Sequence, residues 1–492
     1  MIPLSRTPEL LLAAAVYGVG LALIGVWASR LTRTGQDFFA AGRRIGPVTL
    51  ALASMAASLS GFTFIGGPGL LYARGFGALM IFLPVSITAS LAAWVLGTRL
   101  RLLGEARGLV TIPEAIGARY RSKAAQGLAA GCVLVAVVGY LATNLLALGL
   151  VMDALFGTGR SAGIWLGAAA VLAYSIGGGI LAGVYADVFQ GAIMAVASVL
   201  VFRLALEIGG GLTGMSQAIL AREPAFLGPW GNAGPLGSLS LFFVFSLGVL
   251  GQPHLLHKFY MVKDPLQLRW YPLAMTGAMV LVLTLLFGVG LAMKSGVASG
   301  AIPPLANPDE ATPAFLLRYA SPVLAGVLFA GVVAAIMSTV NAFLNIGAAA
   351  LVRDFPAALG RGVRNELRNG RLATLVIGAG AALVAHASGS LVALLGIFGW
   401  GLFAATLVPA LGLGLCWGRG TRAAALGSMG VGLGVTLLGE LLGFFRVYSL
   451  PGGVLVSGVA LAASLLTYLV ISGVTRQGAA PPDSDLSVII RM

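Results

Sequence analysis

The sequence predicts an all-α membrane protein of about thirteen transmembrane helices, and three observations carry that prediction. Only 9% of the 492 residues are charged and 58% are hydrophobic, where a soluble domain carries about 25% charged residues. Mean hydropathy is +0.97, and apolar runs recur along the whole chain at about 20 residues, the length a helix needs to cross a bilayer. With the N-terminus outside, 22 of the 30 lysines and arginines fall in alternate loops, as cytoplasmic loops require. The net charge of +14 is then a mark of topology. It does not call for nucleic acid; the partner it leaves is the lipid bilayer, and no required protein partner is evident in the sequence.

Taken in order, the expected spans are 8–29, 48–72, 76–98, 126–155, 162–182, 186–206, 238–257, 270–293, 319–350, 372–390, 392–416, 423–442 and 452–473. The first is too long for a signal peptide and its charged front is weak. The basic loops expected inside carry Arg30, Arg33, Arg43 and Arg44, then Arg99 to Lys123, then Lys258, Lys263 and Arg269, then Arg353 to Arg371, with Arg419, Arg422, Arg476 and Arg491 last. The stretch GLVTIPEAIGARY after span 3 reads as an interfacial helix with Pro113 in its first turn. Residues 207–237 and 295–318 are long outer loops, equally readable as lids or connectors. The tail GAAPPDSDLSVIIRM is expected to be disordered. Cys132 and Cys416 lie in separate apolar runs and suit small core residues.

Two spans cannot be uniform helices. Residues 56–69, AASLSGFTFIGGPG, place four glycines and a proline inside span 2, and FVFSLGVLGQPHLLHKFY repeats the device in span 7 with Gly248, Gly251 and Pro253. Each interrupted span opens a group of five, spans 2–6 (48–206) and 7–11 (238–416). Five is odd, so the second group is inverted relative to the first. The remaining divisions are 1–47 (first span and loop), 207–237 (outer loop), 417–474 (spans 12 and 13) and 475–492 (tail). Paired interruptions in inverted repeats mark a midplane site in a secondary transporter, because unwound backbone survives in lipid only where it lines a cavity or is covered by protein.

The residues in these stretches resemble the sodium:solute symporter family, in its proline and pantothenate permease branch. SGFTFIGGPGLLYARG is similar to that family's second span, and Tyr174 to Met194 to its fifth-to-sixth corner. GQPHLLHKFYMVKD is similar to its seventh-span end, and LFAGVVAAIMSTVNAFLN, Leu328 to Asn345, to its ninth span. The resemblance implies a LeuT-like fold of two inverted five-helix repeats and sodium-driven uptake of a small solute. It places the sodium ion on the carbonyls of Ala56, Leu59 and Ala335 and the hydroxyls of Ser338 and Thr339. Five neutral oxygens suit a hard monovalent cation, and Ser338 and Thr339, adjacent on a helix, can reach one ion. A Ser-Thr pair bonded back to its own helix is the alternative use of the same residues. Some family members hold a second sodium at an acid in the corner and two hydroxyls after the ninth-span serine. Here the acid is Asp187, but the hydroxyl positions are Asn341 and Ala342, so the pattern fails. Asp187 is left as a structural, gating or cation-paired residue.

Candidate solute-lining groups are Ser60, Phe62 and Thr63 in span 2, Tyr140 and Asn144 in span 4, Phe245, Ser246 and Gln252 in span 7, and Asn341 in span 9. This set is polar, uncharged and partly aromatic. It suits a small monocarboxylate or amino acid, with the carboxylate on N–H groups freed by a broken helix. Proline permeases carry Asp and Trp where this chain has Ser58 and Phe62, which loosens the assignment to proline. His254 and His257, beside Lys258, read as residues of an interfacial helix end, with proton relay as the other reading. No phosphate-cradling loop, zinc-protease motif or nucleophile elbow appears, so neither ATP coupling nor enzymatic activity is expected. A proton-coupled or uncoupled carrier and a transporter-like sensor are the competing classes. The Ala-, Gly- and Arg-rich composition suggests a bacterial inner membrane.

Overall fold

The computed structural model describes residues 8–31, 47–362, 365–389, 391–476 and 483–492. The expected loop cations Arg33, Arg43, Arg44 and Arg364 lie outside them. Among the described residues the chain is helical, without strands. Eleven helices there are long and apolar enough to cross a membrane, against the thirteen expected. The expected spans not among these eleven are 2 and 5; span 2 is broken, and span 5 runs straight into span 6 in one helix.

Pro8–Leu31 (α1) is unbroken. Span 2 comes in pieces, Pro47–Ser58 (α2), an unwound step at Leu59 and Ser60, a wide π-helical turn at Phe62–Gly66, and Gly67–Arg74 (α3). Neither piece alone spans a bilayer. Span 3 is Phe82–Ala92 (α4) and Thr98–Arg107 (α5), joined by a second wide turn. Ile112–Tyr120 (α6) starts on a full capping box, with Thr111 and Glu114 satisfying each other's backbone N–H groups. Its Ile112, Ala115, Ile116 and Tyr120 are buried, so it is a packed helix and not the surface-lying one expected. Lys123–Phe156 (α7) is span 4. Spans 5 and 6 fall in one helical tract, Arg160–Gly209 (α8). Its Gly183–Gly209 part has membrane length, and its Arg160–Ala173 part is also apolar.

Gly211–Leu220 (α9) belongs to the long connection before span 7. Span 7 runs from Gly234–Gly248 (α10) through a tight turn at Val249–Gly251 to Pro253–Leu256 (α11) and Lys258–Met261 (α12). The break falls at Gln252, with φ −82° and ψ 104°, because the residue before a proline is pushed out of the helical region. Tyr271–Ala298 (α13) is followed by Ala311–Tyr319 (α14), Pro322–Ala349 (α15), Glu366–Ala387 (α16), Val392–Leu407 (α17), Arg422–Phe444 (α18) and Val456–Thr475 (α19). The centre of the bundle is α15. Nearly every side chain from Ala325 to Ala349 is buried, packed on α7, α8, α16 and α1. A helix apolar all round belongs inside. By contrast α18 and α19 pack chiefly on each other and are mostly exposed, as lipid-facing helices are.

The tail departs from expectation. Ser484–Arg491 (α20) is helical, and Leu486, Ile489 and Ile490 are buried where it packs on α5 and on Gly414–Cys416. Asp483 pairs with Arg107 at 2.7 Å and with Arg121. Residues 477–482 lie outside the described ones. Replacing Leu486 by Asp is expected to release α20 while sparing the bundle, since short terminal helices open locally. Protease cleavage beyond Arg476 should accelerate, with the bundle Tm moving by about 2 °C or less. A large fall in Tm would instead make α20 part of the global fold.

Candidate functional site

In an unbroken helix Ala57 O would accept from Gly61 N–H. Here Gly61 N–H donates instead to Asn144 Oδ1 of α7 at 3.0 Å, and Asn144 Nδ2 donates to Tyr140 O. The helix resumes when Phe64 N–H donates to Ser60 O at 3.0 Å. Only glycine fits at 61, since a Cβ there would lie 2.9 Å from Ile336 and 3.0 Å from both Ala147 and Asn144. The interruption is thus wedged between spans 4 and 9.

On the facing helix, Ser338 Oγ lies 3.1 Å from Ala56 O and 3.0 Å from Ala335 O, and Thr339 Oγ1 donates to Ala335 O at 3.1 Å. Ala56, Leu59, Ala335, Ser338 and Thr339 are all buried. Four of the five expected oxygens are therefore linked by hydrogen bonds, and Leu59 is the first residue of the unwound step. A hydroxyl has one proton and two lone pairs, so Ser338 satisfies only one of its two carbonyls at a time. The set is neutral, oxygen-only and buried, which fits a sodium ion carried as cargo.

Next to the break lies a cavity of about 30 Å³, room for about one or two waters and too small for a solute. Its walls include Phe62, Thr63, Tyr140, Phe245, His254 and Trp400. The rings are stacked face to face, with Phe62 on Phe245 at 5.9 Å and Phe245 on Trp400 at 5.0 Å. His254 packs within 6.1 Å of Tyr140 and 6.2 Å of Trp400, centroid to centroid.

Of the nine expected solute residues, Phe62, Thr63, Tyr140 and Phe245 meet at this cavity. Ser60 is buried at the break itself. Asn144 and Gln252 serve the backbone: Gln252 Nε2 donates to Gly248 O at 3.1 Å and to Trp400 O at 3.2 Å, tying the span 7 break to α17. Ser246 is half-buried and not among the cavity's walls. Asn341 lines a separate small cavity with Asp187, His257 and Lys258. His254, His257 and Lys258 are not interfacial; each is at most 4% exposed. Trp400 and His254 were missed as wall residues, and the signal available was a tryptophan set between glycines, GIFGWG, in span 11.

Hydrogen bonds tie neighbouring elements together on two sides of the bundle. On one side Thr312 Oγ1 donates to Phe64 O at 2.6 Å, and Asp309 Oδ2 accepts from Val392 N–H at 2.6 Å. The 295–318 segment therefore packs against the second half of span 2. On the other, Arg101 Nε donates to Val262 O and Tyr260 to Thr111 O.

Residues 38–432 match the profile of the sodium:solute symporter family. The chain belongs to that family. It is 30% identical over 477 residues to the osmoregulated proline transporter OpuE of Bacillus subtilis (strain 168), covering 93% of this chain and 95% of that protein. It is 29% identical over 434 residues to the sodium/pantothenate symporter of Escherichia coli (strain K12), covering 86% and 89%. In fold it is similar to a substrate-bound, outward-open Na+-coupled sialic acid symporter. The TM-score there is 0.78 at 18% identity, over 96% of this chain and 99% of the other. These neighbours are transporters, and the symporter family gives the bundle its LeuT-like architecture.

Two outcomes test the site's supports. Asn144→Leu should cost about 1–3 kcal/mol by stranding Gly61 N–H, read as a lowered Tm. Burial pushes the Asp309 carboxyl up to about 6, against the Val392 N–H that it accepts. The folded state therefore binds more protons than the unfolded one between about pH 4 and 6. Stability from this group is gained as pH falls through that window and lost as pH rises through it. Asp309→Asn should flatten the Tm profile there.

Proposed function

We propose that the chain is a sodium-coupled symporter that imports a small monocarboxylate or amino acid by alternating access. The observation that carries this reading is the hydrogen bond from Ser338 to Ala56 O, which brings a hydroxyl of span 9 to a carbonyl at the interruption of span 2. A sodium ion would sit among Ala56, Leu59, Ala335, Ser338 and Thr339. It would draw α2 and α15 together and so favour one arrangement of the bundle over another.

The solute would take the place of the aromatic cavity once it opens. Stacked faces of Phe62, Phe245 and Trp400 suit an apolar body, and N–H groups at the helix breaks suit a carboxylate. Proline and pantothenate, the solutes named for the curated relatives, are the first candidates. Asp187 is assigned a coupling role through its partner Lys258. The orientation proposed is N-terminus outside and C-terminus cytoplasmic, in a bacterial inner membrane. Repeats of 48–206 and 238–416 flank the outer loop 207–237, with 1–47, 417–474 and 475–492 peripheral to them.

The test is the thermal stability of purified protein in sodium against potassium chloride, with and without proline or pantothenate. Stabilisation specific to sodium is expected. Thr339→Ala should raise the half-saturating sodium concentration roughly tenfold, about 1.4 kcal/mol, with Tm in potassium little changed. Unaltered sodium dependence in that variant would remove Thr339 from the site.

A further inference from the structure

Lys258 and Asp187 form a buried ion pair with no counterpart elsewhere among the described ion pairs. Nζ lies 2.9 Å from Oδ2, and the side chains are 5% and 4% exposed. The same Nζ donates to Ala53 O at 2.8 Å, one turn before Ala56 in α2. The ammonium thus joins the inner segments of both interrupted spans, α2 and α12, to α8. Asp187 Oδ1 has no hydrogen-bond partner. Both residues border a cavity of about 10 Å³ shared with Asn341, two positions beyond Thr339 on α15.

A carboxylate this deep must be neutralised by a proton or a cation. Lysine supplies a compact charge of +1 at the end of a flexible stem. Around that charge stand a carboxylate oxygen and a peptide carbonyl, with a side-chain amide at the same cavity. These are the hard oxygen donors that a sodium ion takes.

We infer that Lys258 is a resident cation. Its ammonium holds the position at Asp187 that a free sodium ion would otherwise fill, and so limits the chain to one bound sodium. This rests on the sodium reading proposed above. Cutting back the ammonium leaves Asp187 and Ala53 O facing a space that recruits a second ion.

The experiment is equilibrium binding of ²²Na+ to the purified full-length chain at pH 8, where protons compete least for Asp187. The wild type is expected to bind one sodium per chain, Lys258→Met two, and the double variant Asp187→Asn/Lys258→Met one. Two ions on the wild type overturn the inference, and this reading needs no variant to fold. One ion on a folded Lys258→Met chain overturns it equally. In both cases the sodium reading stands. Failure of the wild type to bind any sodium removes that reading itself, and this inference with it.

Discussion

A bilayer supplies no water to an unpaired backbone group, and the whole site follows from how this chain meets that constraint at one unwound step. Leu59 and Ser60 interrupt span 2, and between the helix bonds Leu59 N–H to Met55 O and Phe64 N–H to Ser60 O the regular pattern is lost at Gly61. The orphaned N–H of Gly61 finds Asn144 on span 4, and the carbonyl of Ala56 finds Ser338 on span 9. Without those partners each group would cost several kcal/mol in hydrocarbon. The two helices that supply them, α7 and α15, are also among the most buried in the bundle. A defect in one span is therefore held by two of the most buried helices of the fold.

The same logic separates the interior into two polar layers. One is neutral, built from peptide carbonyls and the hydroxyls of Ser338 and Thr339. The other is charged, built on Asp187 and Lys258. Ala53 and Ala56 lie one turn apart on α2 and belong to the charged and neutral layers respectively. Movement of α2 therefore changes both layers at once. A hydrogen bond to Lys258 and a hydrogen bond to Ser338 cannot be kept through a large shift of that helix, which makes α2 the natural place for ion occupancy and conformation to meet.

Much of this was legible in the sequence, for local reasons. Span lengths follow from hydropathy. The break at Gln252 follows from Pro253, and the break in span 2 from a run of small and hydroxyl residues around Gly61. What escaped depends on distant partners. HLLHKFY reads as a helix end meeting water, because the acid that buries Lys258 is 71 positions away. Trp400 joins the cavity only because α17 folds against the break of span 7, where Gln252 binds its carbonyl. The helix Ser484–Arg491 needs α5 and the arginines at 107 and 121 to hold it; alone, eight residues fall below helix stability. Asn144 and Gln252 read as solute ligands because a polar side chain in a membrane span invites a functional reading. The backbone has a claim on both, and Gln252 Oε1 keeps an acceptor open.

The backbone's claim also bears on how an ion would couple to the fold. Ser338 now gives its proton to a carbonyl, a bond a sodium ion would have to displace. On binding, the hydroxyl must turn so that a lone pair faces the ion, and Ala56 O must exchange a proton donor for a cation. The net gain is the difference between two satisfied states, and it is largest only when α2 and α15 stand close enough for all five oxygens to reach one point. If either helix moves away, the ion loses ligands while Ser338 keeps Ala335 O, three residues behind it on its own helix. The serine is satisfied in either arrangement, whereas a sodium ion on these oxygens would be in only one. An equilibrium between arrangements that differ in this way would be biased by sodium through the number of oxygens it can hold, with no charged ligand required.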